Sequence, residues 1–99
     1  MPENKICFIS MPMRGMSEAE IEREFKELQS TFPFRENGWD FVNGMIEGHE
    51  SMTPLECLAA AIEKIDKVDY VFFAPGWEEA RGCRVEHMIA EEYNIPIYE

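Results

Sequence analysis

The stretch Tyr70-Val-Phe-Phe-Ala-Pro-Gly-Trp77-Glu-Glu-Ala-Arg81-Gly-Cys-Arg-Val-Glu86-His87 decides the fold of this chain. Its first four residues form a continuous apolar run, as expected of a strand covered on both faces. Pro75 and Gly76 then interrupt the pattern. A helical pattern follows from about Ala80 to Tyr93, with Val85, Ile89 and Tyr93 at helical spacing and Asn94 and Pro96 closing it. Strand, turn and helix in that order make a βα unit, and its helix carries Glu86 beside the apolar stripe, within about the first two turns. A carboxylate near a helix N-terminus is held in its charged form by the dipole and the free N–H groups. That suits a nucleophile or an anchor for a sugar hydroxyl, and an acid there also serves the dipole alone.

Working outward, Ile6-Cys-Phe-Ile9 is a second continuous apolar run and reads as another interior strand. Trp39-Asp-Phe-Val42 is broken by Asp40, and Ile95-Pro-Ile-Tyr98 holds a proline that cannot donate to a ladder, so both read as edges. Two further helices announce themselves by their caps. Ser17-Glu-Ala-Glu20 is a capping box followed by Ile21, Phe25, Leu28 and Phe32 on one stripe. Thr53-Pro-Leu-Glu56 pairs a cap and a reciprocal acid with a first-turn proline, ahead of Leu58, Ile62 and Ile65. Strands alternating with helices imply right-handed crossovers between parallel strands. The expected fold is one domain over residues 1–99, an α/β three-layer α/β/α sandwich of flavodoxin-like type with a four-stranded parallel sheet of order 2-1-3-4.

Composition narrows the partners. The 99 residues are 45% hydrophobic, enough for one small core, and Lys plus Arg number 9 against 20 Asp plus Glu, a formal charge of −11. Such a field repels nucleic acid and anionic membrane, while local basic groups can still hold a small anion within about 8 to 10 Å. Cys7, Cys57 and Cys83 are odd in number and widely spaced, which argues against a disulfide framework or a thiolate metal cage and for reduced cytoplasmic thiols. The apolar run Ile6 to Ile9 is too short for a signal-peptide core or a membrane span. A cytoplasmic protein is expected.

In sheets of this order, ligands bind outside the carboxyl ends of the strands where the order reverses, here between strands 1 and 3. Two loops meet there, Ser10 to Gly15 and Ala74 to Arg81. The segment Asn43 to Met52 leaves strand 2 beside them, as a lid or as an ordinary surface loop. Arg14, Arg81 and Arg84 offer partners for a phosphate, or for structural salt bridges. Gly15 and Gly82 allow close backbone approach but belong to neither G-x-G-x-x-G nor a P-loop, so no dinucleotide or triphosphate cofactor is expected. Trp77 suits either a stack on a nucleobase or a cap over the core. His87 and Glu91, one helical turn apart, are too few to expect a metal, and His49 stands alone with no triad around it. The series Glu18, Glu20, Glu22, Glu24 and Glu27 reads as the solvated face of the first helix.

Three segments, Phe8-Ile-Ser-Met-Pro-Met13, Asp69-Tyr-Val-Phe-Phe-Ala-Pro-Gly-Trp77 and Arg81-Gly-Cys-Arg-Val-Glu-His87, resemble the nucleoside 2-deoxyribosyltransferase-like superfamily, above all its small, uncharacterised bacterial and phage branch. The resemblance covers nearly the whole chain in the right order. It implies a carboxylate, matched by Glu86, that attacks the anomeric carbon of a 2-deoxynucleoside or its monophosphate and leaves a glycosyl-enzyme ester. Water then completes hydrolysis, or a second base completes transfer. Arg14 and Gly15 match the substrate loop. The substrate-binding candidates are Ser10, Met13, Arg14, Gly15, Asn43, Gly76, Trp77, Glu79, Arg81 and Gly82.

Family members often complete the pocket with a neighbouring subunit, and the two modest edges add to the expectation of a homodimer or higher homo-oligomer. Departures stand beside the match. The family's acid on helix 2 falls on Ala61, its small hydroxyl or acidic residue six before the nucleophile on Ala80, its strand-1 tyrosine on Phe8, and its first-loop glycine on Met11. Glu79, next to Ala80, is the candidate substitute. Two functions are therefore expected of such a chain, N-glycosidic cleavage or transfer through Glu86, or the role of a catalytically degenerate nucleotide-binding or regulatory module. A purely structural oligomerisation domain is the third.

Overall fold

A computed structural model describes residues 5–32, 38–44 and 51–99. Among these residues the chain runs β1 (Lys5–Ser10), α1 (Glu18–Thr31), β2 (Trp39–Asn43), α2 (Pro54–Ile65), β3 (Tyr70–Phe73), a 3₁₀ turn (Trp77–Glu79), α3 (Arg81–Glu92) and β4 (Ile97–Tyr98). The strands form one parallel sheet of order β2-β1-β3-β4. This is the expected small flavodoxin-like α/β sandwich.

Both capping boxes form. Ser17 Oγ accepts from the Glu20 N–H at 3.1 Å while Glu20 Oε1 accepts from the Ser17 N–H at 3.0 Å. Thr53 and Glu56 make the same exchange at 3.1 and 2.8 Å, with Pro54 opening the helix. Each box satisfies two donors that a helix start would otherwise leave unpaired.

Alternation along the strands sorts the core into two layers. Cys7, Ile9 and Phe72 pack beneath Ile21, Leu28 and Phe32 at the α1 face, whereas Phe8, Val71 and Phe73 pack against Ala61 and Ile65 of α2 and Ala90 of α3. One helix about 10 Å wide is too narrow for four strands set about 4.8 Å apart. On the α1 face aromatic rings make up the difference. The Phe32 ring centre lies 5.3 Å from Trp39, 5.6 Å from Phe41, 5.7 Å from Tyr70, 5.8 Å from Phe72 and 5.9 Å from Tyr98.

The edge assignments hold, with β4 shorter than the apolar run suggested. Pro96 has no N–H to give and joins the ladder only through its carbonyl, which accepts from the Val71 N–H at 2.9 Å, and the strand begins at Ile97. Ahead of it, α3 closes in a Schellman motif. Asn94 adopts φ 56°, the Ile95 N–H donates to Ala90 O at 2.9 Å, and the Asn94 N–H donates to Glu91 O at 3.3 Å.

The orientation of α3 differs from its apolar spacing. Its buried residues are Cys83, Glu86 and Ala90, while Val85 and Ile89 are half-buried and Tyr93 is 75% exposed. Small side chains at Cys83 and Ala90 let the helix lie close on the sheet, and Glu86 is tolerated inside because it has a partner there. None of the described helices is long and apolar enough to cross a membrane. Of the segment expected as a lid, Asn43 and Gly44 end β2 and Ser51 and Met52 lead into α2; positions 45–50, with His49, lie outside the described residues.

Candidate functional site

Ser10 ends β1 opposite Phe73, the last residue of β3, and its side chain shares the α2/α3 face with Phe8. One step further the Ala74 N–H donates to Ser10 O at 2.9 Å. The two loops therefore leave the sheet side by side, as the strand order required. The second loop turns at Gly76, whose φ of 87° is left-handed, and its 3₁₀ turn passes directly into α3 through Ala80 N to Trp77 O and Arg84 N to Ala80 O, at 3.1 and 3.0 Å. Ala80 is the N-cap and has no side chain able to accept from the open helix start.

This route carries Glu86 inward. It lies on the second turn of α3, is 8% exposed, and its Oε1 accepts from Ser10 Oγ at 2.5 Å, across 76 residues of sequence. Ser10 itself is 2% exposed. Burial pushes the Glu86 carboxyl above the usual glutamate range, against the lowering effect of the Ser10 hydroxyl. The expectation that the helix start would favour its charged form is thus corrected. The dipole acts within the first turn, and Glu86 lies beyond it in a desolvated position. Cys83, one turn earlier and also buried, has its thiol pushed up by burial, with the Ser10 hydroxyl opposing and the Glu86 charge adding. Cys7 is pushed up to about 12 by burial. Neither thiol is a ready nucleophile.

Beside Ser10 the wall is apolar. A Cβ built on Gly44 would stand 3.4 Å from Phe8 Cζ, 3.8 Å from Ala61 Cβ and 3.9 Å from Met13 Cε, so β1, the loop after it and α2 meet at the end of β2 without a polar group from these three side chains. Lys64 of α2 reaches the same strand end, donating to Asn43 O at 2.9 Å, and partial burial lowers its ammonium below the usual range.

The other sequence candidates divide clearly. Trp77 stacks on His87, with centroids 4.0 Å apart and planes 7° apart, and Phe73 closes the group at 5.4 and 4.8 Å. It caps the core and presents one indole face to a protein ring. Arg84 Nη1 donates to Glu78 O at 2.9 Å, pinning the 3₁₀ turn. Arg14, Glu79 and Arg81 are exposed, and the backbones at Gly15, Gly76 and Gly82 have open space where a side chain would stand.

His87 Nδ1 meets Glu91 Oε1 at 3.1 Å and its Nε2 meets Glu99 Oε2 at 2.6 Å. The two acids thus occupy opposite ring nitrogens and offer no shared cation position, and no group of three potential metal ligands forms among the described residues. An open depression of about 390 Å³ lies elsewhere, at Lys26, Gln29, Ser30 and Phe41 on the α1 side.

Sequence reasoning named Ser10 and Glu86 without linking them and missed Cys83 and Lys64. The available signal was positional, since Cys83 and Glu86 share one face of α3 at i, i+3 and Ser10 shares a strand face with Phe8.

No curated protein and no solved structure matches the chain. The loops, Ser10, Trp77 and Glu86 all lie within residues 5–99, the span matched by the family described as Domain of unknown function (DUF4406), and the chain belongs to that family.

Proposed function

We propose that this domain binds a nucleoside or nucleoside monophosphate across the loops after β1 and β3 and cleaves or transfers its N-glycosidic bond through Glu86. The observation that carries this reading is the buried Ser10–Glu86 pair at the carboxyl ends of the two central strands. Ser10 holds Oε1, which leaves Oε2 to attack the anomeric carbon. The bond to the base breaks, the base departs with its electron pair, and a glycosyl ester forms on Glu86. Attack by water or a second base at the same carbon returns the carboxylate. A poorly solvated carboxylate is a strong nucleophile once ionised, so burial that costs charge in the resting protein raises reactivity.

The resemblance to nucleoside 2-deoxyribosyltransferase-like proteins supplies the substrate class. Arg14, which is exposed, suits a phosphate, with the open backbone at Gly15 beside it. Three free thiols suit the reducing cytoplasm.

A second reading has its own observation. Phe8 and Ala61 meet as apolar neighbours around Gly44, where the resemblance calls for a tyrosine and an acid. A proton donor contributes about 10²–10⁴-fold, so the enzyme is slow unless Glu79 substitutes, and a pure binding module is the limit of that loss. Incubation with deoxynucleosides and their monophosphates, followed by chromatography of released base, tests both. Base release abolished by Glu86→Gln supports the glycosyl-enzyme, and release persisting in that variant refutes it. Ligand-dependent thermal stabilisation without product identifies the binding module.

A further inference from the structure

The outward face of α3 has a pattern that solvation does not require. The helix buries Cys83, Glu86 and Ala90. At about 100° per residue, the opposite side carries Arg81, Val85, Met88 and Glu92. Arg81 and Glu92 are exposed, Met88 is 54% exposed and Val85 half-buried, so an apolar centre is flanked by a cation at one end and an anion at the other. Arg84 and Ile89 border the stripe.

The pattern is symmetric about the midpoint between Glu86 and His87. Arg81 and Glu92 are equidistant from it, as are Arg84 and Ile89, and Val85 and Met88. Set antiparallel against a second copy of itself, the helix places Arg81 opposite Glu92 at both ends and Val85 opposite Met88 in the middle. A parallel pairing would set like charges together. A chain of net charge −11 repels its own copies over most of its surface, and this stripe is a place where the charges balance locally.

We propose that two copies of this chain associate about a two-fold axis through the outward faces of antiparallel α3 helices, with reciprocal Arg81–Glu92 pairs around a Val85–Met88 centre. The contact is isologous. Being limited to one helix and its borders, it belongs with small interfaces of about micromolar strength. Glu86 lies on the far side of the same helix, so the pairing leaves each copy's Ser10–Glu86 link within its own chain, and it holds whether or not Glu86 is catalytic.

Sedimentation velocity across about a hundredfold concentration range around the micromolar reads the association. The wild type is expected to pass from monomer to dimer, with Met88→Lys and Arg81→Glu each weakening the dimer about tenfold or more. The double variant Arg81→Glu/Glu92→Arg recovers association to within about threefold, because the swapped pairs re-form at both ends. Arg81→Glu/Glu22→Arg restores the same net charge with an exposed α1 residue and stays weak. Circular dichroism confirms folding of each variant. A wild type that is monomeric throughout, a Met88→Lys dimer as tight as wild type, or equal rescue by Glu22→Arg overturns the proposal.

Discussion

Replacing Ser10 with alanine tests the electrostatics of the buried pair most directly. The Ser10 hydroxyl donates to Glu86 Oε1 at 2.5 Å, with the two residues 2% and 8% exposed, so no water replaces it without opening the core. A hydrogen bond to a charged group contributes about 1.5–3 kcal/mol and a neutral one about 1 kcal/mol. Which value applies depends on whether Glu86 is ionised. Its carboxyl is raised by burial in the fold, so the folded chain keeps a proton that the unfolded chain has already released. Stability therefore falls as pH rises from the ordinary glutamate range through the raised value, and the full penalty stands above it. Ser10 offsets part of that penalty by favouring the charged form. Ser10→Ala removes the offset and extends the fall to higher pH.

The expected cost is about 1 kcal/mol near pH 4 and about 2–3 kcal/mol near pH 8. For a chain of this length that corresponds to melting-point losses of roughly 4–8 °C and 8–24 °C. Thermal and urea unfolding followed by circular dichroism at both pH values gives the comparison. A cost that is the same at both, or larger in acid, refutes the assignment of Ser10 as the partner of a charge-costly Glu86.

Two further substitutions probe how the site is held. Ala80→Asp supplies the missing N-cap acceptor at a residue whose backbone already has cap geometry, φ −101° and ψ 123°, and should stabilise the chain by about 1 kcal/mol in urea unfolding; a loss would mean the open helix start is otherwise engaged. Phe32→Ala removes the ring that five aromatic neighbours share and should cost about 3–5 kcal/mol, with loss of the near-ultraviolet aromatic signal; a change under about 1 kcal/mol would show that the α1 face closes without it.

What could be read from the residues was whatever depends on near neighbours. Ser17 with Glu20 and Thr53 with Glu56 are complete within four residues, and Asp40 and Pro96 mark their strands as edges by their own chemistry. The azimuth of α3 was not readable in this way. Val85, Ile89 and Tyr93 have the right spacing, but the face that packs is set by the 3₁₀ turn before the helix, the small Cys83 and Ala90, and a hydroxyl 76 residues distant. The same separation hid the direction of the Glu86 shift, because helix position is local information and desolvation is not. The stack of Trp77 on His87 was likewise out of local reach, because the two rings lie ten residues apart and meet only through the turn into α3.

The brevity of β4 bears on colloidal behaviour. Two residues, Ile97 and Tyr98, together with the carbonyl of Pro96, shield the outer edge of β3. The strand they shield, Tyr70-Val-Phe-Phe73, is uncharged, aromatic-rich and free of proline, a composition prone to edge-to-edge assembly when unpaired. Opening of so short a segment needs few hydrogen bonds to break, so hydrogen exchange at the Val71 amide tracks the exposure of that edge, and the Schellman closure with the His87–Glu99 tie sets how seldom it occurs.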